Sequence, residues 1–298
     1  MRVLHLDSGR TLQGGQLQVI RLIEGLERLR VDQIVLARGE LQHKVGAGPF
    51  DLATVFAQAG KADIIHAHDA RSHTWAVLLG RGCPLAVSRR VAFPVKGGVL
   101  SRLKYGRADR YLAVSEAVKK RLLEAGVAEQ RITLVHDGID PPAEEPHWSP
   151  PETTPRVAIL DSADPLKRTA AAVEACRLAG LVAVVDRNLE RALDQADFFL
   201  YLPEMEGFGS AILAAAIRKR PIVAAAVGGI PEVIFDAETG LLTDGSVEQA
   251  AEALRRLADD SNLARGIAER AFSLVVSCFS SDIMVDRTAA VYRSLLGS

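Results

Sequence analysis

Residues 203–233 read PEMEGFGSAILAAAIRKRPIVAAAVGGIPEV, and the fold of the whole chain turns on them. They follow an unbroken apolar run, Phe198-Phe199-Leu200-Tyr201-Leu202, short enough for a strand buried on both faces. Pro203 cannot continue a hydrogen-bonded ladder and ends it. Glu206-Gly207-Phe208-Gly209 then leads into an alanine-rich helix starting near Ser210. A second short apolar strand, residues 221–225, precedes Gly228-Gly229-Ile230-Pro231-Glu232. Two successive strands therefore end in glycine-bearing turns that open helices. Open α/β sheets bind ligands at that end of their strands, and the free N–H groups of a first helical turn suit anions.

The rest of the chain supplies material for two such sheets. Its 298 residues allow two domains, and 48% hydrophobic with 24% charged residues describes ordinary globular cores. A formal net charge of −1 argues against a nucleic-acid binder that works through bulk positive charge. Cys83, Cys176 and Cys278 lie far apart without metal-ligand spacing and read as reduced thiols of a cytoplasmic protein. The first residues, MRVLHLD, reach an aspartate too soon for a signal peptide and read as a buried strand. No stretch is long and apolar enough to span a bilayer, which leaves surface attachment open.

After the strand at residues 2–6, Leu17, Ile20, Leu22, Ile23 and Leu26 give residues 16–29 the stripe of an amphipathic helix. Gly14-Gly15 joins the two. Strand, glycine turn and helix are the parts of a phosphate cradle, but the third glycine of a dinucleotide fingerprint and the Lys-Ser/Thr of a P-loop are missing. A turn that merely lets helix and strand pack is an equal reading. Residues 38–61 read as loop and a short helix. Residues 63–69 form a strand that ends in His66-Ala67-His68-Asp69. Residues two apart share a strand face, so the histidines could pair on a metal. No third ligand follows at a metal-binding spacing, and no metal is expected.

The strand at 84–88 runs into Arg89-Arg90, which would suit either a phosphate-bearing acceptor or a solvated basic loop. Lys96, Arg102, Lys104, Arg107 and Arg110 add charge nearby, as a phosphorylated glycolipid or an anionic membrane surface would require. Another strand follows at 111–115, then a helix at 116–124 capped by Ser115, a strand at 132–135 and the turn His136-Asp137-Gly138-Ile139-Asp140. Six prolines between residues 141 and 155 mark a stiff linker. Beyond it, the strand at 156–160 leads to Lys167-Arg168. Taken alone, Lys167 reads as a surface lysine at a helix start or as an anion ligand. Helices are expected at 169–179, 189–196, 246–259, 262–271 and near the end of the chain, with a strand at 182–185.

These motifs, in this order, resemble the GT-B glycosyltransferases, and within them the retaining family 4. The resemblance covers nearly the whole chain. It is densest at DIIHAHD (63–69), at YLAVSEAVKKRLLEAGVAEQRITLVHDGID (111–140) and from the EGFG turn through GGIPEVI to DAETGLL (236–242). It implies two Rossmann-like α/β/α domains facing across a cleft. Residues 1–140, joined by a final helix at 281–298, would form the acceptor-side domain, residues 141–155 the linker and residues 156–280 the nucleotide-sugar domain.

The implied reaction is transfer of a sugar from a nucleotide-diphosphate donor with retention, without metal or cofactor. The acceptor would be a bacterial surface carbohydrate or glycolipid of the lipopolysaccharide type. By the same resemblance Glu206 contacts sugar hydroxyls, His68 contacts the donor sugar, and Lys167, with Arg168 as a stand-in for a missing arginine, neutralises the diphosphate. Gly207, Phe208, Gly209, Ser210, Gly228, Gly229 and Glu232 line the donor, and Gly14, Gly15, Gln16, Arg89 and Arg90 lie toward the acceptor. The chain departs from the family pattern at three places. Ala214 stands where a second glutamate normally holds the ribose, Asp161-Ser162 replaces a Gly-Arg pair, and one strand rather than two precedes the EGFG strand. These departures keep a second function class open: a GT-B-shaped protein that binds a sugar nucleotide or glycan without turnover.

Overall fold

The computed structural model describes residues 1–80, 82–95 and 97–297. Lys96, one of the basic residues above, lies outside the described residues. The chain divides into two compact units, one made of residues 1–138 with 281–298 and the other of residues 139–280.

In the first unit β1 (Arg2–Leu6) leads through α1 (Gly14–Arg28) to β2 (Asp32–Ala37), α2 (Gly39–Lys44), β3 (Gly48–Pro49) and α3 (Leu52–Ala59). Then come β4 (Ile64–Ala67), α4 (Ala70–Leu79), β5 (Leu85–Arg89), α5 (Val99–Gly106), β6 (Arg110–Ala113), α6 (Glu116–Glu124) and β7 (Ile132–Leu134). The seven strands form one parallel sheet in the order β3-β2-β1-β4-β5-β6-β7. Val3, Ile64, Ala86 and Leu112 project from its strands into a core with Leu22 and Leu26 of α1 and with Met284, Val285 and Tyr292 of the last helix. At Gly25 that last helix comes so close to α1 that a Cβ would sit 2.3 Å from a Val285 methyl. Only glycine permits this approach. Where residues 38–61 read as loop and one short helix, the structure has two short helices and a two-residue strand. Gly14 and Gly15 are not a free turn but the first two residues of α1, whose N-cap is Gln13.

In the second unit β8 (Arg156–Leu160), α7 (Thr169–Ala179), β9 (Val182–Asp186), α8 (Leu189–Asp194) and β10 (Phe198–Tyr201) come first. They are followed by α9 (Ser210–Ala216), β11 (Ile222–Ala225), β12 (Leu241–Thr243), α10 (Val247–Asp259) and α11 (Ser261–Cys278), and α12 (Ser281–Leu296) returns to the first unit. The parallel sheet runs β12-β11-β10-β8-β9, which leaves β9 at an edge and puts β8 beside β10. The core joins Phe198 and Leu200 of β10, Val157 and Ile159 of β8, and the inner faces of α7, α10 and α11. The proline-rich run is held onto this unit. Trp148 is buried in its core with Nε1 donating to the Asp197 carbonyl at 3.3 Å, and Glu145 pairs with Lys219. Among the described residues no helix is long and apolar enough to cross a membrane.

Candidate functional site

The neighbouring carboxyl ends of β8 and β10 bring together two residues that lie far apart in sequence. After β8, Asp164 caps a 3-10 turn (Pro165–Lys167), and Arg168, in a left-handed conformation, breaks it from α7. After β10, the Glu204 amide donates to the Leu166 carbonyl at 2.9 Å and ties the two loops together. Lys167 Nζ then lies 2.7 Å from Glu206 Oε2 and 2.8 Å from the Tyr201 hydroxyl. The Tyr201 hydroxyl also donates to Glu206 Oε2. Both charged groups are largely covered, Lys167 being 24% and Glu206 15% exposed at the side chain. Burial and then the Glu206 charge hold the Tyr201 phenol well above its ordinary value, so it remains a neutral donor. In the sequence Tyr201 reads only as part of the buried strand, not as a site residue. The available signal was a hydroxyl-bearing ring at the carboxyl end of an otherwise apolar strand, where a buried phenol needs a partner.

The second glycine turn presses on the first. Gly228 has φ +57°, and a Cβ there would lie 1.8 Å from the Glu206 carbonyl oxygen, so no other residue fits. No acceptor among the described residues takes the backbone N–H of Gly228 or of Gly229. The first turn is less open to an anion than its sequence implies. The Gly207 amide donates to Glu206 Oε1 at 2.8 Å, and the Phe208 ring is buried 5.3 Å from Phe279, so Phe208 has only its backbone to offer a ligand. Gly209, at φ +98°, admits the chain to α9, of which Ser210 is the first residue. Glu232 ends a half-buried 3-10 turn (Ile230–Glu232). Arg168 turns to the Gly245 carbonyl at 2.8 Å and lies 3.9 Å from Glu204, an engagement made by the left-handed backbone at that position. Ala214 is buried on α9.

In the first unit His68 is buried just after β4, with Nε2 3.0 Å from His5 Nδ1. His66 lies alongside, its Nδ1 2.6 Å from the Tyr292 hydroxyl and its Nε2 2.8 Å from Ser88 Oγ. Ring nitrogens of the three histidines fall within 4.8 Å of one another. A third histidine does therefore meet the His66–His68 pair. It comes from the neighbouring strand, which downstream spacing cannot reveal. His66 has both nitrogens hydrogen-bonded, which leaves it no lone pair for a metal, and the trio forms a polar network in the core. Burial pushes all three well below the ordinary histidine value, His5 to about 3.

The arginines expected to face an acceptor are engaged inside the unit. Arg89 reaches the Tyr105 hydroxyl at 3.1 Å and the Phe93 carbonyl at 2.7 Å. Arg90 Nε bonds Asp137 Oδ1 at 3.0 Å with both side chains mostly buried. The physical reason lies at Asp137. A carboxylate at this depth is a buried charge, and Arg90 compensates it. Gln16 turns its amide toward Asp7, at 3.3 and 3.4 Å, while Gly15 borders open space.

Residues 27–142 match the family described as Glycosyltransferase Family 4, and residues 99–260, over half of the chain, match Glycosyl transferases group 1. The chain belongs to the group 1 glycosyl transferases. Among curated members it is 34% identical over 110 residues to an N-acetyl-alpha-D-glucosaminyl L-malate synthase of Bacillus anthracis, covering 37% of this chain and 29% of that one. It is 36% identical over 92 residues to a D-inositol 3-phosphate glycosyltransferase of Streptomyces avermitilis, covering 30% and 20%. The matched part is thus under a third of the length of these relatives. Solved structures show the fold of this group over nearly all of the chain. Anabaena HepE in complex with UDP-glucose superposes with a TM-score of 0.83 at 17% identity, covering 99% of this chain and all of that one. The lipopolysaccharide outer core galactosyltransferase WaaB does so with 0.73 at 12%, covering 99% of each. The fold is GT-B, with two parallel α/β sheets.

Proposed function

We propose that this group 1 glycosyl transferase moves a sugar from a nucleoside diphosphate to a carbohydrate or glycolipid acceptor, with retention of configuration and without a metal. The observation that carries this reading is the Lys167–Glu206–Tyr201 cluster beside the unbonded Gly228 and Gly229 amides. Lys167 is the diphosphate's counter-charge, and Glu206 accepts hydrogen bonds from sugar hydroxyls. In the resting cluster each satisfies the other. An arriving diphosphate competes with the carboxylate for the Lys167 ammonium and releases Glu206 oxygens to the sugar. One ion pair is exchanged for two sets of ligand contacts, so neither charge is left buried alone. Catalysis then rests on positioning and on charge stabilisation at the departing phosphate.

The names of similar proteins support a nucleotide-sugar donor: HepE was solved with UDP and with UDP-glucose. An acceptor on bacterial surface glycolipid is supported by the likeness to WaaB and by α5, where Val99, Leu100 and Leu103 stand exposed near Arg102 and Arg107. In this reading the enzyme works in the cytoplasm, in peripheral contact with an anionic membrane. Ala214 favours a second reading, binding without turnover. A missing ribose carboxylate removes about 1.5–3 kcal/mol, ten- to a hundredfold in affinity, which weakens an enzyme without silencing it.

The test is thermal shift and calorimetry with nucleoside diphosphates and their sugars, followed by release of free sugar from any ligand that binds. Stabilisation by a nucleotide sugar, lost in Glu206→Ala, together with slow sugar release, is the expected result. Binding indifferent to Glu206→Ala would remove the site, and tight binding with no sugar release would favour the second reading.

A further inference from the structure

Arg168, next in the chain to the lysine of the Lys167–Glu206–Tyr201 cluster, holds a backbone that arginine seldom adopts. Its φ of +51° and ψ of +42° are left-handed, a conformation that glycine enters freely and other residues enter against the clash of their Cβ with the following carbonyl. Such a residue persists only where its surroundings hold it there. Here its own side chain does the holding. Arg168 Nη1 donates to the carbonyl of Gly245, in the turn between β12 and α10, at 2.8 Å. Arg168 Nε lies 3.9 Å from Glu204, in the loop after β10. The helices α7 and α10 pack side by side, so the residues that precede them are neighbours although 77 positions separate them.

The left-handed residue decides what the carbonyls before it bond. The Asp164 and Pro165 carbonyls accept from the Lys167 and Arg168 amides, each at 3.0 Å, as in a 3-10 turn. In a helix running unbroken from Pro165 into α7, the Leu166 carbonyl would accept from the amide of Ala170, four positions on. The break at Arg168 ends that ladder, and the Leu166 carbonyl accepts instead from the Glu204 amide at 2.9 Å. This bond joins the loop that carries Lys167 to the loop that carries Glu206. Across the joined loops Lys167 Nζ lies 2.7 Å from Glu206 Oε2 and 2.8 Å from the Tyr201 hydroxyl.

We propose that Arg168 is a positioning residue. By clasping Gly245 it keeps the left-handed break, the break frees the Leu166 carbonyl for Glu204, and the joined loops set Lys167 against Glu206. Arg168 thus acts on the donor through Lys167 and not as a second counter-charge to the diphosphate. Its bearing on the donor rests on the reading of Lys167 and Glu206 as donor ligands, whereas the clasp itself does not.

Two substitutions remove the same guanidinium and differ in the backbone they allow. Arg168→Gly enters the left-handed region unaided, and Arg168→Leu does not. Acylation of amines in the full chain at limiting reagent, followed by peptide mapping, reads the cover on Lys167 against the exposed Lys61. Wild-type Lys167 should label about tenfold more slowly than Lys61. Arg168→Gly should keep most of that protection, and Arg168→Leu should lose it. Affinity for UDP-glucose, measured by calorimetry, should follow the same order, falling about tenfold in Arg168→Leu. A Lys167 still protected in Arg168→Leu would overturn the positioning role, and so would equal loss of affinity in both variants, because a missing ligand is indifferent to the backbone. Free labelling of Lys167 in Arg168→Gly overturns it alone, whether or not Arg168→Leu folds. Wild-type affinity for UDP-glucose in an Arg168→Leu chain whose Lys167 labels freely would overturn only the link to the donor. Glu206→Ala tests the donor reading with Arg168 intact, so the two readings fail by different measurements.

Discussion

Lys167 and Glu206 are separated by 39 positions, and only the β8–β10 pairing puts them 2.7 Å apart. Each was legible in the sequence as a position, because the EGFG turn and the lysine before α7 carry a family pattern. Their contact was not legible, since strand order decides it. Tyr201 and His5 were hidden for a related reason. Both sit inside apolar strand patterns, where a single polar ring is usually a satisfied core residue, and their partners come from other strands. Tyr201→Phe isolates the bridging hydroxyl, because the ring stays and only its oxygen is removed. The folded protein should lose about 1 kcal/mol, and donor affinity should fall a few-fold as Glu206 Oε2 loses its second donor. Denaturant titration and calorimetry with a nucleotide sugar measure the two effects. Unchanged affinity would reduce Tyr201 to a packing residue.

At the scale of elements, hydrophobic periodicity located α1, α6, α7, α10 and most strands within a few residues. It missed α5 because that helix has no buried residues. Its apolar side chains do not face the sheet: Val99, Leu100 and Leu103 are 74%, 83% and 61% exposed, and Phe93 just before it is 46% exposed. Exposed apolar residues interleaved with Arg102 and Arg107 form an amphipathic surface suited to an anionic bilayer, which would cover the apolar side chains and attract the basic ones. The chain should therefore co-sediment with vesicles rich in anionic lipid and much less with neutral ones. Leu100→Asp with Leu103→Asp should abolish this. Arg102→Glu with Arg107→Glu should weaken it by about 1 kcal/mol per charge and flatten its salt dependence. Equal binding of both pairs to anionic vesicles would take the membrane contact away from α5.

For the whole molecule the same histidines bear on stability as a function of acid. His5, His66, His68 and His73 are buried and held neutral, with His5 and His73 lowered to about 3. In the unfolded chain they titrate near the ordinary value of 6.5. Below that pH the unfolded state binds protons that the folded state refuses. Stability is therefore fully present above the unfolded value and is lost progressively as pH falls toward the folded values. Asp7 acts in the opposite sense. Burial and then the Asp69 charge raise its value, so its contribution favours the fold at low pH and declines as pH rises through the raised value. The histidines outnumber it, and between about pH 6.5 and 5 few ordinary carboxylates titrate. The net expectation in that window is a falling Tm with net proton uptake on unfolding. Calorimetry in buffers of different ionisation enthalpy counts those protons. A Tm that stays level from pH 6.5 to about 5, with no uptake, would mean that the histidine layer is hydrated and charged in the folded protein.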